Sequence, residues 1–280
     1  MSPDRSLGMR AGRHLAAGGG DVLVVRAPIA PLVAEPRVSA SQVTQALAGH
    51  PLSVLTREGS WVRVAGADGY EGWVHTGYLA DPAAALGPAA GRWYDAAPTS
   101  LGCVVEGPFG ARRLPLGALL LPGERVVRGD TVAPEELERR FPRRAPAAVE
   151  TALRCFAGTS YQWGGVTPWG ADCSGLVQSV FALHGLALPR DAWQQALEGE
   201  ALAGAAPFTD ADALRAADLL FFSERADGRI THVGIATGDG RMVHLSLGRG
   251  GYAVERLAAT DDAYVTMLAG NFRVARRLPW

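Results

Sequence analysis

The sequence predicts an α+β chain, with two small β-barrels ahead of a domain whose helices come first and whose sheet follows. Three observations carry this. Residues 22–81 hold short alternating apolar runs parted by turn signals, as in Trp61-Val62-Arg63-Val64, Asp68-Gly69 and Gly72-Trp73-Val74, the spacing of a small barrel. Residues 92–133 again alternate apolar runs with Gly and Pro. From residue 146 helical periodicity comes first and strand-like runs come later, the order of an α+β domain.

In chain order, residues 1–21 read as a tail, 22–81 as the first barrel and 92–140 as a more degenerate second one. Pro82 to Gly91 is linker-like, rich in Ala, Gly and Pro. Trp61 and Trp73 are expected in the barrel core, and Tyr70, on a turn, at the surface. Thr131 to Arg144 predicts a short helix and a connector. The last domain, 145–280, opens with a helix over 147–157. A glycine-aromatic loop, Tyr161-Gln162-Trp163-Gly164-Gly165, leads to a second helix that starts at Cys173 and ends before Gly185. A further helical piece is expected over 192–202. Strands are expected over 218–222, 231–236 and 242–246, with a late one over 264–268.

Bulk numbers exclude several classes. The chain has 280 residues, 48% hydrophobic and 20% charged, with a net charge of −1. It can bury sizeable cores and carries no basic field to attract nucleic acid or an anionic membrane. No apolar run approaches the ~18 residues of a bilayer span. Met1 to Gly20 lacks the apolar core of a secretory signal, so the expected location is cytoplasmic. The three cysteines, Cys103, Cys155 and Cys173, are widely spaced and form no C-x-x-C pair. That argues against a disulfide framework and a structural zinc knuckle. No cofactor is implied. Cys103 and Cys155 read as small core residues.

Cys173 differs. It sits where a loop becomes a helix, and the positive end of the macrodipole there favours thiolate. A cysteine nucleophile also needs a base, and the base needs an orienting group. His14, His50 and His75 read as surface or barrel residues. His184 shares a helix with Cys173, but 11 residues put it ~16 Å along the axis. It reads instead as a cation near the helix C-terminus. His232 and His244 lie on adjacent expected strands. A two-residue turn at Asp239-Gly240 would place them on opposite faces. A three-residue loop over 238–240 pairs His244 with Gly234 and makes His232 its diagonal neighbour on the same face, ~7 Å away. A glycine at the loop's end suits the left-handed position. Cys, His and His also match zinc chemistry, and that alternative stays open here. Arg190-Asp191 reads equally as a structural salt link.

Asp172-Cys173-Ser174-Gly175, Tyr161-x-Trp163-Gly164-Gly165, His232-Val233-Gly234-Ile235 and Val243-His244 together resemble the NlpC/P60 family of cysteine peptidases over about 145–280. Trp61-Val62-Arg63-Val64 and Gly69-Tyr70-Glu71-Gly72-Trp73-Val74 resemble a bacterial SH3 domain. The resemblance implies a papain-like fold and a murein-recycling endopeptidase of the YkfC type. Such enzymes cut between γ-D-glutamate and an L-diamino acid, lysine or diaminopimelate, in stem peptides with a free N-terminal L-alanine. It implies Cys173 as nucleophile, His232 as base and His244 as its orienting partner. Tyr161 would stand at the oxyanion site with the Cys173 N–H. Asp172, Ser174 and Trp163 would line the substrate, with Asp172 and Ser174 on the L-Ala-D-Glu portion. Glu35 and Tyr70 would hold the free amine, with Glu58 and Glu71 as alternatives to Glu35. Ala192 departs from the small hydroxyl residue usual after Arg-Asp, which bears on specificity. Three other readings stand beside this one: a secreted hydrolase of intact wall, a non-catalytic peptide-binding or wall-binding module, and an acyltransferase on the same scaffold.

Overall fold

Period-two alternation sorts the side chains of the first sheet. Its strands are β1 (Val22–Val25), β2 (Ile29–Val33), β3 (Gln42–Leu47), β4 (Pro51–Glu58), β5 (Trp61–Ala65), β6 (Glu71–His75) and β7 (Leu79–Ala80). They form an antiparallel sheet in the order β3-β2-β6-β5-β4-β1-β7. Val62 and Val64 of β5 and Val74 of β6 enter an aliphatic core with Val25, Leu32 and Leu52. Trp61 and Trp73 therefore fall on the other face and are only half-buried, not in the core as expected. The reason is the pleat: neighbours of inward residues must point out. Trp61 instead packs edge-on against His75, with centroids 5.4 Å apart.

The computed structural model describes residues 21–86, 93–210, 214–259 and 261–280. All but Asp21 of the expected tail, the later part of the expected linker, and His14 lie outside the described residues. The chain divides into two compact units, Met1–Arg140 and Phe141–Trp280. In the first, helices α1 (Pro82–Leu86) and α2 (Trp93–Ala96) precede a second sheet. Its strands are β8 (Thr99–Glu106), β9 (Arg112–Leu119), β10 (Arg125–Arg128) and β11 (Thr131–Val132), with β8 pairing the other three. Cys103 is buried in β8, and α3 (Leu137–Arg140) closes the unit.

The second unit opens with α4 (Ala145–Cys155), which buries Ala148, Val149 and Ala152. Pro146 fits its first turn, where no backbone N–H is needed. Cys155 ends this helix half-buried. The hairpin β12 (Val166–Thr167) and β13 (Gly170–Ala171) leads into α5 (Cys173–Leu183). The piece expected over 192–202 is only the short helix α6 (Ala192–Gln195), followed by β14 (Glu200–Ala201). The helix is capped at Ala196, and Gly199, at φ +70°, turns the chain into β14. Glu200 and Ala201 then pair with the last strand.

The main sheet adds β15 (Leu219–Phe222), β16 (His232–Ala236), β17 (Arg241–Ser246), β18 (Gly251–Arg256) and β19 (Phe272–Arg277), in the order β14-β19-β15-β16-β17-β18. The strand expected over 264–268 is instead a helix, α7 (Ala263–Asn271). The Asp262 carboxylate accepts from the N–H groups of Tyr264 and Val265, starting a helix where apolar content alone suggested a strand.

His184 corrects a second expectation. It is a buried neutral ring, not a cation at the helix C-terminus. Its Nδ1–H donates to the Pro142 carbonyl at 2.7 Å, and Nε2 accepts from the Thr151 hydroxyl at 2.9 Å. Burial lowers its pKa. A histidine lowered in the folded state gives stability that is complete above its ordinary value near ~6.5 and is lost as pH falls below it. Thermal unfolding between pH 7.5 and 5 should therefore show a falling Tm. His184→Asn, whose amide can still donate to Pro142, should show a shallower fall.

Candidate active site

The site begins with a cap. Asp172 precedes α5, and its carboxylate accepts the Gly175 N–H at 2.7 Å. The same carboxylate accepts the Gly164 N–H at 2.8 Å, pulling the glycine-aromatic loop onto the helix start. Arg190 closes on it from the far side in a two-pronged pair of 3.0 and 2.7 Å, and also donates to the Ser174 hydroxyl at 2.9 Å. Arg190 is 2% and Asp172 5% exposed. Asp172 and Ser174 thus spend their polar atoms inside the protein. Arg190 pairs with Asp172, while its neighbour Asp191 forms a capping box with Gln194 on α6. Gly175 is required by proximity, because a Cβ there would lie 2.0 Å from the Gly165 carbonyl oxygen.

Cys173 takes the first position of α5 and is buried. Its thiol is pushed up to about 12, first by burial and then by the Asp172 charge. Hydrogen bonds from the Val233 and Ser174 N–H groups and the charge of Arg190 oppose this without prevailing. The helix terminus therefore does not make the substrate-free cysteine a thiolate, contrary to the expectation from position alone. A dry site and an acidic cap outweigh it.

The bond to Val233 brings the thiol to the residue that follows His232, the first residue of β16. The β16–β17 connection is the three-residue loop. Ile235 lies opposite Val243, and the Thr237 N–H donates to the Arg241 carbonyl. Gly240, at φ +75°, ends the loop. This register puts His244 opposite Gly234 and diagonal to His232. His232 Nε2 and His244 Nδ1 lie 2.8 Å apart. Burial first, and His244 second, push His232 down to about 3, so the His232 ring is neutral at rest.

The chain of contacts continues through residues the sequence reading passed over. His244 is fully buried, and its Nε2 lies 3.3 Å from Glu255 Oε1 on β18. Arg249 grips both Glu255 oxygens at 2.8 and 3.0 Å and reaches Asp262 at 2.6 Å. Burial would raise the Glu255 carboxyl, but bonds from His244 and Arg249 hold it at about 2. The signal for Glu255 was present: Gly250-Gly251 and the run after it mark a further hairpin.

Tyr161 joins the loop to the sheet. Its N–H donates to the Gly250 carbonyl at 3.0 Å, and it bridges Ala171 just before the cap. Burial, then the nearby Cys173 and Asp172, raise its phenol, which stays a proton donor. Trp163 is 66% exposed, so it does not pack beneath the loop. Glu35 and Tyr70 belong to the first unit. Glu35 is exposed and bonded through both oxygens to Arg37, at 3.0 and 3.2 Å. Tyr70 is half-buried on its turn, its N–H bonded to Asp68. On the zinc alternative, the two histidines turn facing nitrogens on each other. Among the described residues no group of His, Cys, Asp or Glu is arranged to hold a metal.

A cysteine on the first turn of a helix, set against an antiparallel sheet that carries two coupled histidines, defines a protein of the cysteine peptidase class. The NlpC/P60 family profile matches residues 158–267 and a bacterial SH3 domain profile matches 25–80. The γ-D-glutamyl-L-lysine dipeptidyl-peptidase of Bacillus subtilis is 36% identical over 143 residues, 51% of this chain and 44% of that protein. This chain's match thus spans under half of that relative's length. The probable endopeptidase NlpC of Escherichia coli is 34% identical over 133 residues, 47% of this chain and 77% of that protein. The crystal structure of an NlpC/P60 family protein from Bacillus cereus shares the fold over 92% of this chain and all of that one, with a TM-score of 0.69 at 20% identity. This chain belongs to the NlpC/P60 family.

Removing one partner of the buried Asp172–Arg190 pair strands a charge. Arg190→Met should cost about 3–5 kcal/mol in urea unfolding. Asp172→Asn in the same chain should recover part of that loss.

Proposed function

We propose that this chain is a cysteine endopeptidase that hydrolyses the γ-D-glutamyl-L-diamino acid bond of murein stem peptides with a free N-terminal L-alanine, in cytoplasmic peptide recycling. The observation that carries the reading is the 2.8 Å contact between His232 and His244, with the Cys173 thiol bonded to the N–H of Val233, the residue after His232. The activity for which the Bacillus subtilis relative is named supports the bond cleaved.

The chemistry follows from two neutral groups. As Cys173 Sγ attacks the γ-carbonyl carbon, its proton passes to His232, which acts as general base. Charge gathers on the carbonyl oxygen, where the Cys173 N–H and the Tyr161 hydroxyl are the donors we assign to it. Collapse breaks the C–N bond, and His232 returns the proton to the departing amine of the diamino acid. The thioester left on Cys173 is then attacked by water, whose proton goes to His232. The C–S bond breaks, L-Ala-D-Glu leaves and the thiol is restored. Because thiol and imidazole both rest neutral, the proton moves during attack and not before it.

Trp163 is the exposed aromatic we assign to substrate contact. Asp172 and Ser174 act in this scheme through the shape of the loop and helix start. We assign the reading of the free amine to Glu35 and Tyr70 on the strength of the resemblance. The Glu35–Arg37 pair is exposed, so an ammonium can exchange with Arg37.

Mass spectrometry of digests checks this. Free L-Ala-γ-D-Glu-L-diamino acid tripeptide should yield L-Ala-D-Glu, and neither Cys173→Ala nor His232→Ala should yield product. The N-acetylated tripeptide should remain intact. Equal cleavage of both peptides would favour a hydrolase of intact wall, and cleavage of neither would favour a binding module or an acyltransferase.

A further inference from the structure

Three ring and carboxylate groups occupy one face of three adjacent strands. His244 lies on the middle strand, β17. On one side its diagonal neighbour is His232 of β16. On the other side Ala253 stands opposite His244 and Met242 opposite Glu255, which makes Glu255 its diagonal neighbour on β18. The pleat's period of two puts all three side chains on the same face.

The proton positions in this row are not independent. A neutral imidazole has one donor nitrogen and one acceptor nitrogen. An ionised carboxylate only accepts. With one proton on each ring, Glu255 takes the Nε2–H of His244 and leaves a lone pair on its Nδ1. That lone pair can only accept, so His232 must donate from Nε2. The lone pair of His232 is then on Nδ1, the nitrogen left to take a proton. If the row ran the other way, His232 would carry its hydrogen on Nδ1 and could not serve as base.

We propose that Glu255, gripped by Arg249, is a positioning residue of the reaction: it selects the tautomer of His244 and, through it, the basic nitrogen of His232. This rests on the peptidase reading given above. Arg249 holds the carboxylate by both oxygens, and Asp262 at the start of α7 holds Arg249. The Arg249 guanidinium also lies over the Tyr264 ring, 4.5 Å from its centroid. With one cation between two carboxylates the cluster keeps a net negative charge, which balances the imidazolium that forms when His232 takes the thiol proton. Ionisation of Glu255 is secured by its partners, which hold it at about 2.

Two measurements on the full chain decide this. In nitrogen-15 histidine NMR on a Cys173→Ala background, His244 and His232 should both appear as the Nε2–H tautomer. Adding Glu255→Ala should convert both rings to a mixture or to the Nδ1–H form. In the active protein, Glu255→Ala should lower kcat about 10- to 100-fold, the scale seen for carboxylates behind metal-ligating histidines, with KM changed less than about twofold. Glu255→Gln, whose amide oxygen can still accept from His244, should keep the tautomers and fall between the two. It carries the same test should the alanine variant not fold. Unchanged tautomers in Glu255→Ala, or a kcat within about twofold of wild type, would overturn the proposal. A wild-type chain that fails to cleave the free tripeptide would overturn the peptidase reading instead, and the two failures are distinguishable.

Discussion

The buried pair between Asp172 and Arg190 is the constraint on which the site depends. One carboxylate gathers the Gly164 N–H from the loop, the Gly175 N–H from the helix start and the guanidinium from the segment after the helix. Without it, three stretches of chain that converge on Cys173 would have no common anchor. A buried charge pair is a poor source of net stability, because desolvation offsets most of the attraction. What it supplies here is position: five hydrogen-bond donors meet on two oxygens, and few other arrangements satisfy all of them.

The same pair has a chemical consequence. The acidic cap and the dry surroundings keep Cys173 protonated, even though the thiol sits at a helix N-terminus. Nucleophilicity then has to come from a neighbouring base acting during the reaction. This shifts the burden onto the sheet, whose register brings the neutral His232 ring into contact with His244 on one face. Gly234 helps to keep that register compact, since a Cβ there would lie 2.3 Å from the sulfur of Met242. The two halves of the site are thus complementary, a helix end that withholds the proton and a sheet row that prepares a place for it.

Much of this was legible in residue order. Cys173 was distinguishable from Cys103 and Cys155 by its loop-to-helix setting. The odd-length loop at 238–240 followed from asking which register would put His232 and His244 on one face, and the observed register is that one. Other readings failed for local reasons. Apolar content at 264–268 suggested a strand because the capping role of Asp262 went unread. Trp61 and Trp73 were expected inside because they are large, although the alternation with Val62, Val64 and Val74 points them out. His184 was expected to be charged because it ends a helix. Its burial comes from Pro142 and Thr151, which lie 42 and 33 residues away.

By itself the sequence indicated most of the elements, the candidate Cys173, the pairing of His232 with His244 and the family. Each of these is written in local periodicity, turn chemistry and motif order, which act over a few residues. Only the tertiary structure decided the ionisation of the site and its supporting shell. Arg190 on Asp172, Val233 on Cys173, and Glu255 with Arg249 on His244 join separate segments. Burial and charge at a point depend on which segments meet there, and that sum exists only once the chain has folded.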